Sequence, residues 1–407
     1  MRLLSGLLSR FVQNGKLQVI DASGNNHTFG GNAPGPDVSM RFHSKAIERR
    51  MFFNPELAVA EGYMDGEISF ENGSDVHAFL TLFSKNRAPL GQHRVQGILR
   101  RIWKAMRRRQ QANNVENAKS QARSHYDLST EMYRLFLDEG MNYSCALYKD
   151  EHESLESAQI NKLIHIVAKL KLEPGMRVLE IGGGWGSLAI MMARAGAQVT
   201  SLNVSPEQVE IARQRVAEAG VEDKIDFVIE DYRQHRGTYD RVVSVGMMEH
   251  VGVYNFDDYF NTVRDRLTHD GFAMIHSIGR MTPPGTTGPF FRKYIFPGGY
   301  VPALSETFAS LERCGLWVCD VEVLRLHYAW TLRDWRVRFQ ENRDEAKTLY
   351  DERFCRMWEF YLSAAELGFV DGSNMVFQLL LSSERDAVPL ERDWISDEDR
   401  RLNKILR

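Results

Sequence analysis

The chain of 407 residues has few cysteines, no long apolar run and little net charge. Its four cysteines are Cys145, Cys314, Cys319 and Cys355. They show no C-x-x-C spacing, which argues against disulfides or zinc and for reduced thiols. No apolar run reaches the roughly 18 residues that span a bilayer, and Met1 to Asn14 lacks the layout of a signal peptide. The formal net charge of −3 requires no nucleic-acid partner, so we expect a cytoplasmic protein that meets a membrane only from its surface.

The order of patterns along the chain predicts two domains, because a chain of this length is too long for one compact core. Residues 1–108 mix short strand-like pieces with amphipathic helical stretches, which predicts a small α+β domain. Residues 109–119 are polar and rich in Gln and Asn, and we expect a linker there. Residues 120–407 alternate apolar runs with helical stretches, which predicts the α/β class with a doubly wound parallel sheet. The strand candidates are Val178–Ile181, Val199–Leu202, Ile225–Ile229, Arg241–Val245 and Phe272–Ile275.

A basic amphipathic segment covers residues 94–109, which contain no acidic residue. Its apolar residues recur at helical spacing and are Val95, Ile98, Leu99, Ile102, Trp103 and Met106. Two interpretations stay open. The helix packs on its own domain with a solvated basic side, or it is attracted to anionic headgroups while Trp103 enters the membrane interface.

A glycine-rich turn, Gly-Gly-Gly-Trp-Gly, follows the first buried strand pattern. Gly182, Gly184 and Gly186 lack the Cβ atoms that would keep a ligand off the backbone, and the helix that follows directs free N–H groups toward it. The NAD fingerprint would place its third glycine at position 187, where this chain has serine. The next strand ends at Asn203 instead of the acid of an ordinary ribose site. The turn therefore favours a nucleotide-type pocket other than a dinucleotide site.

The other candidates are weak when taken singly. Asp231 and Tyr232 follow the third strand, where they either hold an adenine by a hydrogen bond and a ring face or form a solvated turn. Glu249 follows the fourth strand and is either a buried catalytic carboxylate or a helix-start acid. For three more residues the simpler interpretation is a core position. These are Cys145, His276 and Tyr328.

These candidates belong to an ordered series of short blocks. The blocks include Tyr63-Met64-Asp65-Gly66, His125-Tyr126-Asp127-Leu128, Tyr143-Ser144-Cys145, Leu155-Glu156-Ser157-Ala158-Gln159, Asp231-Tyr232-Arg233, Glu249-His250-Val251-Gly252, His276-Ser277-Ile278-Gly279, Lys293-Tyr294-Ile295-Phe296-Pro297-Gly298-Gly299 and Phe377-Gln378-Leu379. With the glycine turn, the series resembles the cyclopropane-fatty-acyl-phospholipid synthase family. Its members, which include mycolic-acid cyclopropane synthase-like methyltransferases, use S-adenosylmethionine to modify lipid acyl chains.

The resemblance implies a Rossmann-like class I methyltransferase domain after a lipid- or sterol-carrier-like first domain. It implies transfer of a methylene group to the cis double bond of unsaturated phospholipid acyl chains, closing a cyclopropane ring with bound bicarbonate as base. Methyl transfer without ring closure, giving a mid-chain methyl or methylene branch, stays open as the alternative. The implied location is the cytoplasmic, inner face of the membrane, in peripheral contact with its anionic surface. A homodimer is neither required nor excluded.

The family's site residues carry over to matching positions of this chain. Its S-adenosylmethionine site falls on Tyr143, Ser144, Glu180, Gly182, Gly183, Gly184, Trp185, Gly186, Asn203, Ser205, Gln208, Asp231 and Tyr232. Its bicarbonate site falls on Cys145, Glu249, His276, Ile278 and Tyr328. No metal ligand is implied.

Five positions depart from the family pattern. Gly183 stands where the family usually has cysteine, Glu180 where it has aspartate, and Met248 where it has phenylalanine. Asn203 replaces the usual threonine, which keeps a polar group toward the cofactor. Trp330 replaces a smaller residue near Tyr328, which bears on the shape of an acyl tunnel and on ring closure.

Charge reversal tests the membrane interpretation of the basic segment. Replacing Arg100, Arg101, Arg107 and Arg108 by Glu should weaken binding to anionic vesicles, since each charge is worth on the order of 1 kcal/mol near the surface. Activity on detergent-dispersed lipid should fall much less. Vesicle sedimentation that does not respond to the four changes would assign the segment a purely structural role.

Overall fold

The computed structural model describes residues 1–87 and 128–406, with the side chains of residues 2 and 3 left out. The basic segment, the linker at 109–119 and most of the His125 block lie outside these ranges. The strands are β1 (Lys16–Ile20), β2 (Asn26–Gly30), β3 (Asp37–Phe42), β4 (Ile68–Glu71), β5 (Arg177–Ile181), β6 (Gln198–Asn203), β7 (Ile225–Ile229), β8 (Tyr239–Val245), β9 (Leu267–Arg280), β10 (Trp317–Leu324) and β11 (Asn374–Ser382).

Helices precede, connect and follow these strands. They are α1 (Arg2–Phe11), α2 (Lys45–Phe53), α3 (Pro55–Met64), α4 (Val76–Lys85), α5 (Thr130–Arg134), α6 (Leu155–Leu170), α7 (Ser187–Arg194), α8 (Pro206–Glu218), α9 (Phe256–Asp265), α10 (Leu304–Cys314), α11 (His327–Glu341), α12 (Arg343–Leu349), α13 (Glu352–Val370) and α14 (Asp393–Leu406). Short 3-10 turns occupy Glu222–Lys224, Met248–His250 and Val253–Asn255, and a π-helical turn occupies Phe291–Ile295. Across the described ranges no helix is long and apolar enough to cross a bilayer.

The described residues divide into two compact units that are not sequential. Unit 1 contains residues 1–87, 286–297 and 332–373, and unit 2 contains 128–285, 298–331 and 374–406. The division differs from the predicted one, in which residues 120–407 form a single domain. Within unit 1 the later segments bond to the end of α3: Lys293 Nζ donates to Glu61 at 2.6 Å, and the Tyr63 hydroxyl donates to Glu359 at 2.7 Å. The sequence pattern did not indicate that residues 286–297 and 332–373 belong to unit 1.

The sheet of unit 2 has the strand order β10-β11-β9-β8-β5-β6-β7. Neighbours from β9 to β7 run parallel, whereas β11 runs antiparallel to both β9 and β10. The predicted α/β class with a doubly wound parallel sheet is confirmed, and all five strand candidates lie within observed strands. The fifth candidate extends further than predicted, because β9 pairs with β11 as far as Arg280. His276 and Ile278 therefore lie inside a strand and not at its end.

Alternating side chains of the central strands enter two separate apolar layers. Val178 and Val243 pack with α6 and α7 on one face. Leu179 and Val242 pack with α9 on the other face. Burial on both faces explains why these strands read as nearly continuous apolar runs. It also leaves the carboxyl ends of the strands as the place for polar chemistry.

Unit 1 is built on a four-stranded sheet of order β2-β1-β3-β4. β1 runs parallel to β3 and antiparallel to β2. The apolar side of α1, which includes Leu4, Leu7, Leu8 and Phe11, is buried in this unit. The observed elements agree with an α+β arrangement, while the kinship of this unit to lipid carriers stays a prediction.

A partly buried charged cluster connects α6, β10 and α14 within unit 2. His165 Nε2 lies 2.8 Å from Glu322, its Nδ1 lies 3.2 Å from Asp399, and the Lys169 ammonium lies 2.6 Å from Glu322. Burial alone would lower the pKa of His165, but the hydrogen bonds to Asp399 and Glu322 outweigh it and raise the pKa. Protonated His165 therefore stabilises the packing of the C-terminal helix.

We expect His165→Gln to lower the free energy of unfolding by about 1–3 kcal/mol, the range for hydrogen bonds to charged groups. The wild-type contribution should be complete below the unfolded histidine pKa of about 6.5 and should disappear as the pH rises through the raised native pKa. Urea unfolding at several pH values measures this difference. His269→Gln, at an exposed histidine, is the matched control. If the difference in the free energy of unfolding between His165→Gln and wild type did not change with pH, His165 would not be stabilised in its protonated form.

Candidate active site

The glycine turn joins β5 to α7, and its glycines have different roles. Gly182, Gly184 and Gly186 have φ values of +91°, +52° and +86°, a region that favours glycine. A Cβ on Gly184 would meet no atom within 4 Å, so this residue borders open space. A Cβ on Gly186 would lie 3.2 Å from Ala212, so protein packing already requires that glycine. Among the three predicted positions, Gly184 is therefore where a ligand has room to approach the backbone.

The packing beneath this turn explains two departures from the family pattern, Glu180 and Gly183. The hydroxyl of Ser201 donates to Glu180 at 2.6 Å, and both side chains are buried. Burial raises the pKa of Glu180 to about 7, although the Ser201 hydrogen bond opposes the shift. A Cβ on Gly183 would lie 1.9 Å from the Ser201 hydroxyl and 3.0 Å from the Glu180 carboxylate. The longer acid and its serine partner thus leave no room for the usual cysteine at position 183.

The amide of Asn203 connects the turn to the start of α8. Its Nδ2 donates to the Gly184 carbonyl and to Gln208 Oε1, both at 3.1 Å. Its Oδ1 accepts from the Ser205 N–H at 2.9 Å. Ser205 in turn caps α8 by accepting from the Gln208 N–H at 3.3 Å. Four predicted cofactor residues are therefore neighbours, and Asn203 contributes by positioning the turn.

Asp231 and Tyr232 are both buried, which rules out the solvated turn considered as their alternative. The guanidinium of Arg233 donates two hydrogen bonds to the Asp231 carboxylate, at 2.8 and 2.7 Å. Tyr232 packs edge-on against Tyr259 with ring centroids 5.5 Å apart. Arg233 therefore fixes the carboxylate that the family assigns to the cofactor, a role that the sequence pattern did not single out.

An aromatic residue overlooked in the sequence links two predicted parts of the site. Tyr133 of α5 packs edge-on against Tyr143 at 5.3 Å and against Trp185 at 5.0 Å. Tyr133 is fully buried, so it acts as a fixed support between the segment before α6 and the glycine turn. A sequence signal did exist, because Tyr133 follows shortly after the His125 block.

Glu249 lies in a buried turn directly after β8, and its carboxylate faces β9. Oε1 accepts a hydrogen bond from the backbone N–H of Ile278 at 2.6 Å. Oε2 is buried and has no partner among the described residues. Burial raises the pKa of Glu249 to about 7, and the Ile278 N–H, the backbone of Glu249 and the Ser277 side chain oppose the shift. The Ser277 hydroxyl donates to the Ile278 carbonyl at 3.0 Å and leaves Oε2 without a hydrogen bond of normal geometry. The buried-carboxylate interpretation of Glu249 is therefore favoured over the helix-start acid. Ile278 was predicted to belong to the bicarbonate site, but its backbone N–H is already donated to Glu249.

His276 lies two residues before Ile278, on the same face of β9. It is buried, and burial lowers its pKa to about 3, so the ring is neutral. Gln378, its register partner on β11, places Nε2 3.2 Å from His276 Nδ1. An amide N–H donated to Nδ1 leaves the ring proton on Nε2. Gln378 therefore makes His276 a hydrogen-bond donor, a role that the sequence did not indicate.

Cys145 and Tyr328 lie on segments that bond to each other. The Ala146 N–H donates to the Thr331 hydroxyl at 3.0 Å, which ties the strand-like segment at Cys145 to the first turn of α11. Burial raises the pKa of the Cys145 thiol, so it is not a thiolate nucleophile. Tyr328 is buried on the same turn of α11.

Trp330 packs close to these segments. Its ring lies edge-on to Tyr148 at 5.7 Å and to His327 at 5.4 Å. His327 Nδ1 also accepts from the Tyr148 N–H at 3.2 Å. The large indole thus fills space beside the chain that carries Cys145.

A buried lysine of α6, Lys162, bonds to the segment that precedes Cys145. Lys162 of α6 donates to Asn142 Oδ1 at 3.0 Å and to the Ser144 hydroxyl at 3.1 Å. Its charge opposes the burial-driven rise in the pKa values of Cys145 and Glu180 and adds to the lowering of the pKa of His276 by burial. Sequence analysis missed Lys162 because a lysine in an amphipathic helix reads as a solvated surface residue. In residues 1–87 and 128–406 no group of three or more His, Cys, Asp or Glu is placed to hold a metal ion.

The strand order and the glycine turn after β5 define a class I methyltransferase domain that uses S-adenosylmethionine. The structure is similar to the cyclopropane synthase MmaA2 from Mycobacterium tuberculosis, with a TM-score of 0.62 and 31% identity over 65% of this chain and 97% of that one. A family model described as mycolic acid cyclopropane synthetase matches residues 113–379. The chain belongs to this family of S-adenosylmethionine-dependent methyltransferases, which confirms the resemblance.

Two relatives show the range of the family. The chain is 36% identical to the tuberculostearic acid methyltransferase UfaA1 of Mycobacterium tuberculosis, over 83% of this chain and 82% of the relative. It is 38% identical to the cyclopropane-fatty-acyl-phospholipid synthase of Escherichia coli strain K12, over 64% of this chain and 67% of the relative. By their names, the two relatives differ in reaction, one as a methyltransferase and one as a cyclopropane synthase.

Gly184→Val should abolish binding of S-adenosylhomocysteine in calorimetry, because a branched side chain would fill the open space beside the turn. The strain at positive φ costs about 1–2 kcal/mol. Gly220→Val is the matched control, since Gly220 also has a positive φ of +65° and open space at its Cβ. The control should lose similar stability and keep its affinity. Unchanged affinity in a folded Gly184→Val protein would refute this placement of the cofactor.

Proposed function

We propose that the protein transfers a methylene group from S-adenosylmethionine to the cis double bond of unsaturated phospholipid acyl chains and closes a cyclopropane ring, with bicarbonate as base. The buried Glu249 carboxylate carries the proposal. One of its oxygens is held by β9 and the other lacks a donor, which suits a ligand that brings its own hydroxyl proton.

The cofactor assignment is supported by the space at Gly184 and by the groups that surround it. Gln208 and Asn203 lie at the turn, and Asp231 is held in place by Arg233. We assign Asp231 and Tyr232 to the adenine, and Tyr143, Ser144 and the glycine turn to the remainder of the cofactor. When bound, S-adenosylmethionine supplies an electrophilic methyl group. Firm positioning of the reacting groups by such a site can contribute about 7–11 kcal/mol to catalysis.

The anion assignment is supported by complementary donors and acceptors. Glu249 Oε2 offers an acceptor for a hydroxyl, and neutral His276 offers Nε2–H as a donor. We assign Cys145 and Ile278 to the same site through their backbone, and Tyr328 through its hydroxyl. When bound, bicarbonate supplies a proton acceptor close to the reacting carbon. Because the Ile278 N–H is donated to Glu249, its contribution to the anion would operate through the positioning of that carboxylate.

The burial of these groups also supports lipid chemistry. Attack of a double bond on a methyl group develops positive charge within the acyl chain, where water would trap it as an alcohol. Glu249, His276 and Cys145 are all nearly inaccessible to solvent. Residues held this way exclude water from the reacting carbon, and the nearby aromatic rings tolerate positive charge.

We place the protein at the cytoplasmic face of the membrane, in peripheral contact with anionic lipid. The basic amphipathic segment at 94–109 supports this location on sequence grounds. The Escherichia coli relative acts, by its name, on fatty-acyl phospholipids. A phospholipid bilayer is therefore the proposed source of the acyl chain, with the oligomeric state left to measurement.

The alternative product is a methyl or methylene branch formed without ring closure. The longer match to the tuberculostearic acid methyltransferase, over 83% of this chain against 64% for the cyclopropane synthase, favours it. The bulk of Trp330 beside Tyr148 is a second feature that favours a branched product. Incubation with S-adenosylmethionine and cis-monounsaturated phospholipid vesicles decides between the two, because mass spectrometry detects the added carbon and proton NMR separates ring from branch protons. A product that carries no added carbon would refute both.

Glu249→Gln should slow turnover by about 10²-fold or more, the scale for loss of a positioned acid–base group. Calorimetry should show little change in affinity for S-adenosylhomocysteine. Depleting bicarbonate from the wild type should cause a comparable slowing that added bicarbonate reverses, whereas the variant should respond weakly. The exposed Glu312→Gln serves as the control.

A structural role for Glu249 predicts a different outcome. The variant would then be less stable but fully active per folded molecule, with an intact response to bicarbonate. That result would refute the anion site and the assignment of its other residues.

A further inference from the structure

Lys162 is a buried ammonium with an incomplete set of partners. It is 2% exposed, and its two hydrogen bonds go to neutral acceptors, Asn142 Oδ1 at 3.0 Å and the Ser144 hydroxyl at 3.1 Å. In the described part of the chain, no carboxylate lies within 4.0 Å of Nζ and no third acceptor lies within hydrogen-bond distance. An ammonium can donate three hydrogen bonds, so one donor is left over.

A second buried lysine on the same helix shows the usual solution. Lys169 is fully buried, and its ammonium lies 2.6 Å from the Glu322 carboxylate. Burying a charge without a close counter-charge costs several kcal/mol. The contrast between the two lysines of α6 therefore indicates that no described residue supplies the counter-charge of Lys162.

The carboxylates nearest to Lys162 do not fill this role. Asp138 and Glu180 act on its pKa only through longer-range charge. Asp138 is engaged by the backbone and side chain of Asn142, at 2.8 and 2.7 Å. Glu180 is engaged by the Ser201 hydroxyl at 2.6 Å.

The surroundings of Lys162 show where an anion would lie. Ser144, one of its acceptors, directly precedes Cys145 in the chain. The charge of Lys162 acts on Glu180 below the glycine turn and on His276 in β9. Lys162 is therefore bonded to the segment that carries Ser144, assigned to the cofactor, and Cys145, assigned to the anion.

We propose that Lys162 is the cationic partner of a carboxylate-type anion that binds beside Asn142 and Ser144. Two ligands of the proposed function, on which this inference rests, share that chemistry: the amino-acid carboxylate of S-adenosylmethionine and bicarbonate. In either case Lys162 neutralises the ligand's charge inside a site that excludes water. The ligand in turn supplies the counter-charge that residues 1–87 and 128–406 do not provide.

The test replaces the ammonium by a neutral side chain of similar length, Lys162→Met. Calorimetry measures binding of S-adenosylhomocysteine and of methylthioadenosine, which lacks the carboxylate, and turnover measures the half-saturating bicarbonate concentration. The exposed Lys149→Met is the matched control and should behave as wild type. Loss of one charge-assisted hydrogen bond should weaken binding of the true partner by about 10- to 100-fold.

Each outcome has a definite meaning. Weaker binding of S-adenosylhomocysteine with unchanged binding of methylthioadenosine assigns the cofactor carboxylate to Lys162. A raised half-saturating bicarbonate concentration with unchanged S-adenosylhomocysteine affinity assigns bicarbonate. A folded variant that matches wild type in both measurements overturns the proposal.

A second measurement covers the case in which Lys162→Met does not fold. Nitrogen-15 NMR of the wild-type lysine ammonium groups, with Lys162→Arg used to identify the signal, should show a shift when S-adenosylhomocysteine or bicarbonate is added. A Lys162 signal that responds to neither ligand overturns the proposal. If wild-type turnover is independent of bicarbonate, the bicarbonate part of the proposed function fails, while Lys162 is still judged by its response to S-adenosylhomocysteine.

Discussion

The burial of both faces of the central strands is the constraint on which the rest of unit 2 depends. Because β5, β8 and β9 send alternate side chains into two apolar layers, polar groups gather where the chain leaves the strands. The glycine turn follows β5, Asn203 ends β6, Asp231 follows β7 and Glu249 follows β8. The carboxyl ends of parallel strands share one edge, so four separate stretches of sequence contribute to one region.

The same burial sets the charge states of the candidate site. It raises the pKa values of Glu180 and Glu249 to about 7 and lowers that of His276 to about 3. It also lowers the pKa of Lys162 to about 8. Desolvation is the largest cause of all four shifts and brings each group closer to its neutral form. A weakly charged, dry region is suited to an apolar acyl substrate.

Several parts of the structure could be predicted from residue patterns. Glycine spacing and apolar runs identified the five parallel strands and the turn after β5, since two-sided burial leaves a direct signature in composition. The ordered blocks identified the family, which the comparisons confirm. The cofactor and bicarbonate residues stay predictions, although the structure buries most of them and connects Asn203 to Gly184, Ser205 and Gln208 by hydrogen bonds.

Other features depended on contacts that no pattern encodes. The two segments that return to unit 1 do so through pairs such as Lys293 and Glu61. A Cβ would meet no atom within 4 Å at Gly184 but would lie 3.2 Å from Ala212 at Gly186, a distinction that depends on what packs against each glycine. Gln378 meets His276 only through the register of β11 on β9.

The sequence by itself determined the fold class and the family, because periodicity and motif order are properties of the chain read in one dimension. Tertiary structure alone decided which buried charges have a counter-charge close by. Lys162 and Lys169 are both lysines of one helix, yet Lys169 has a carboxylate at 2.6 Å, whereas the described residues offer Lys162 two neutral acceptors and no carboxylate within 4.0 Å. The difference depends on residues distant in sequence, since the energy of a buried charge is set by its neighbours in space.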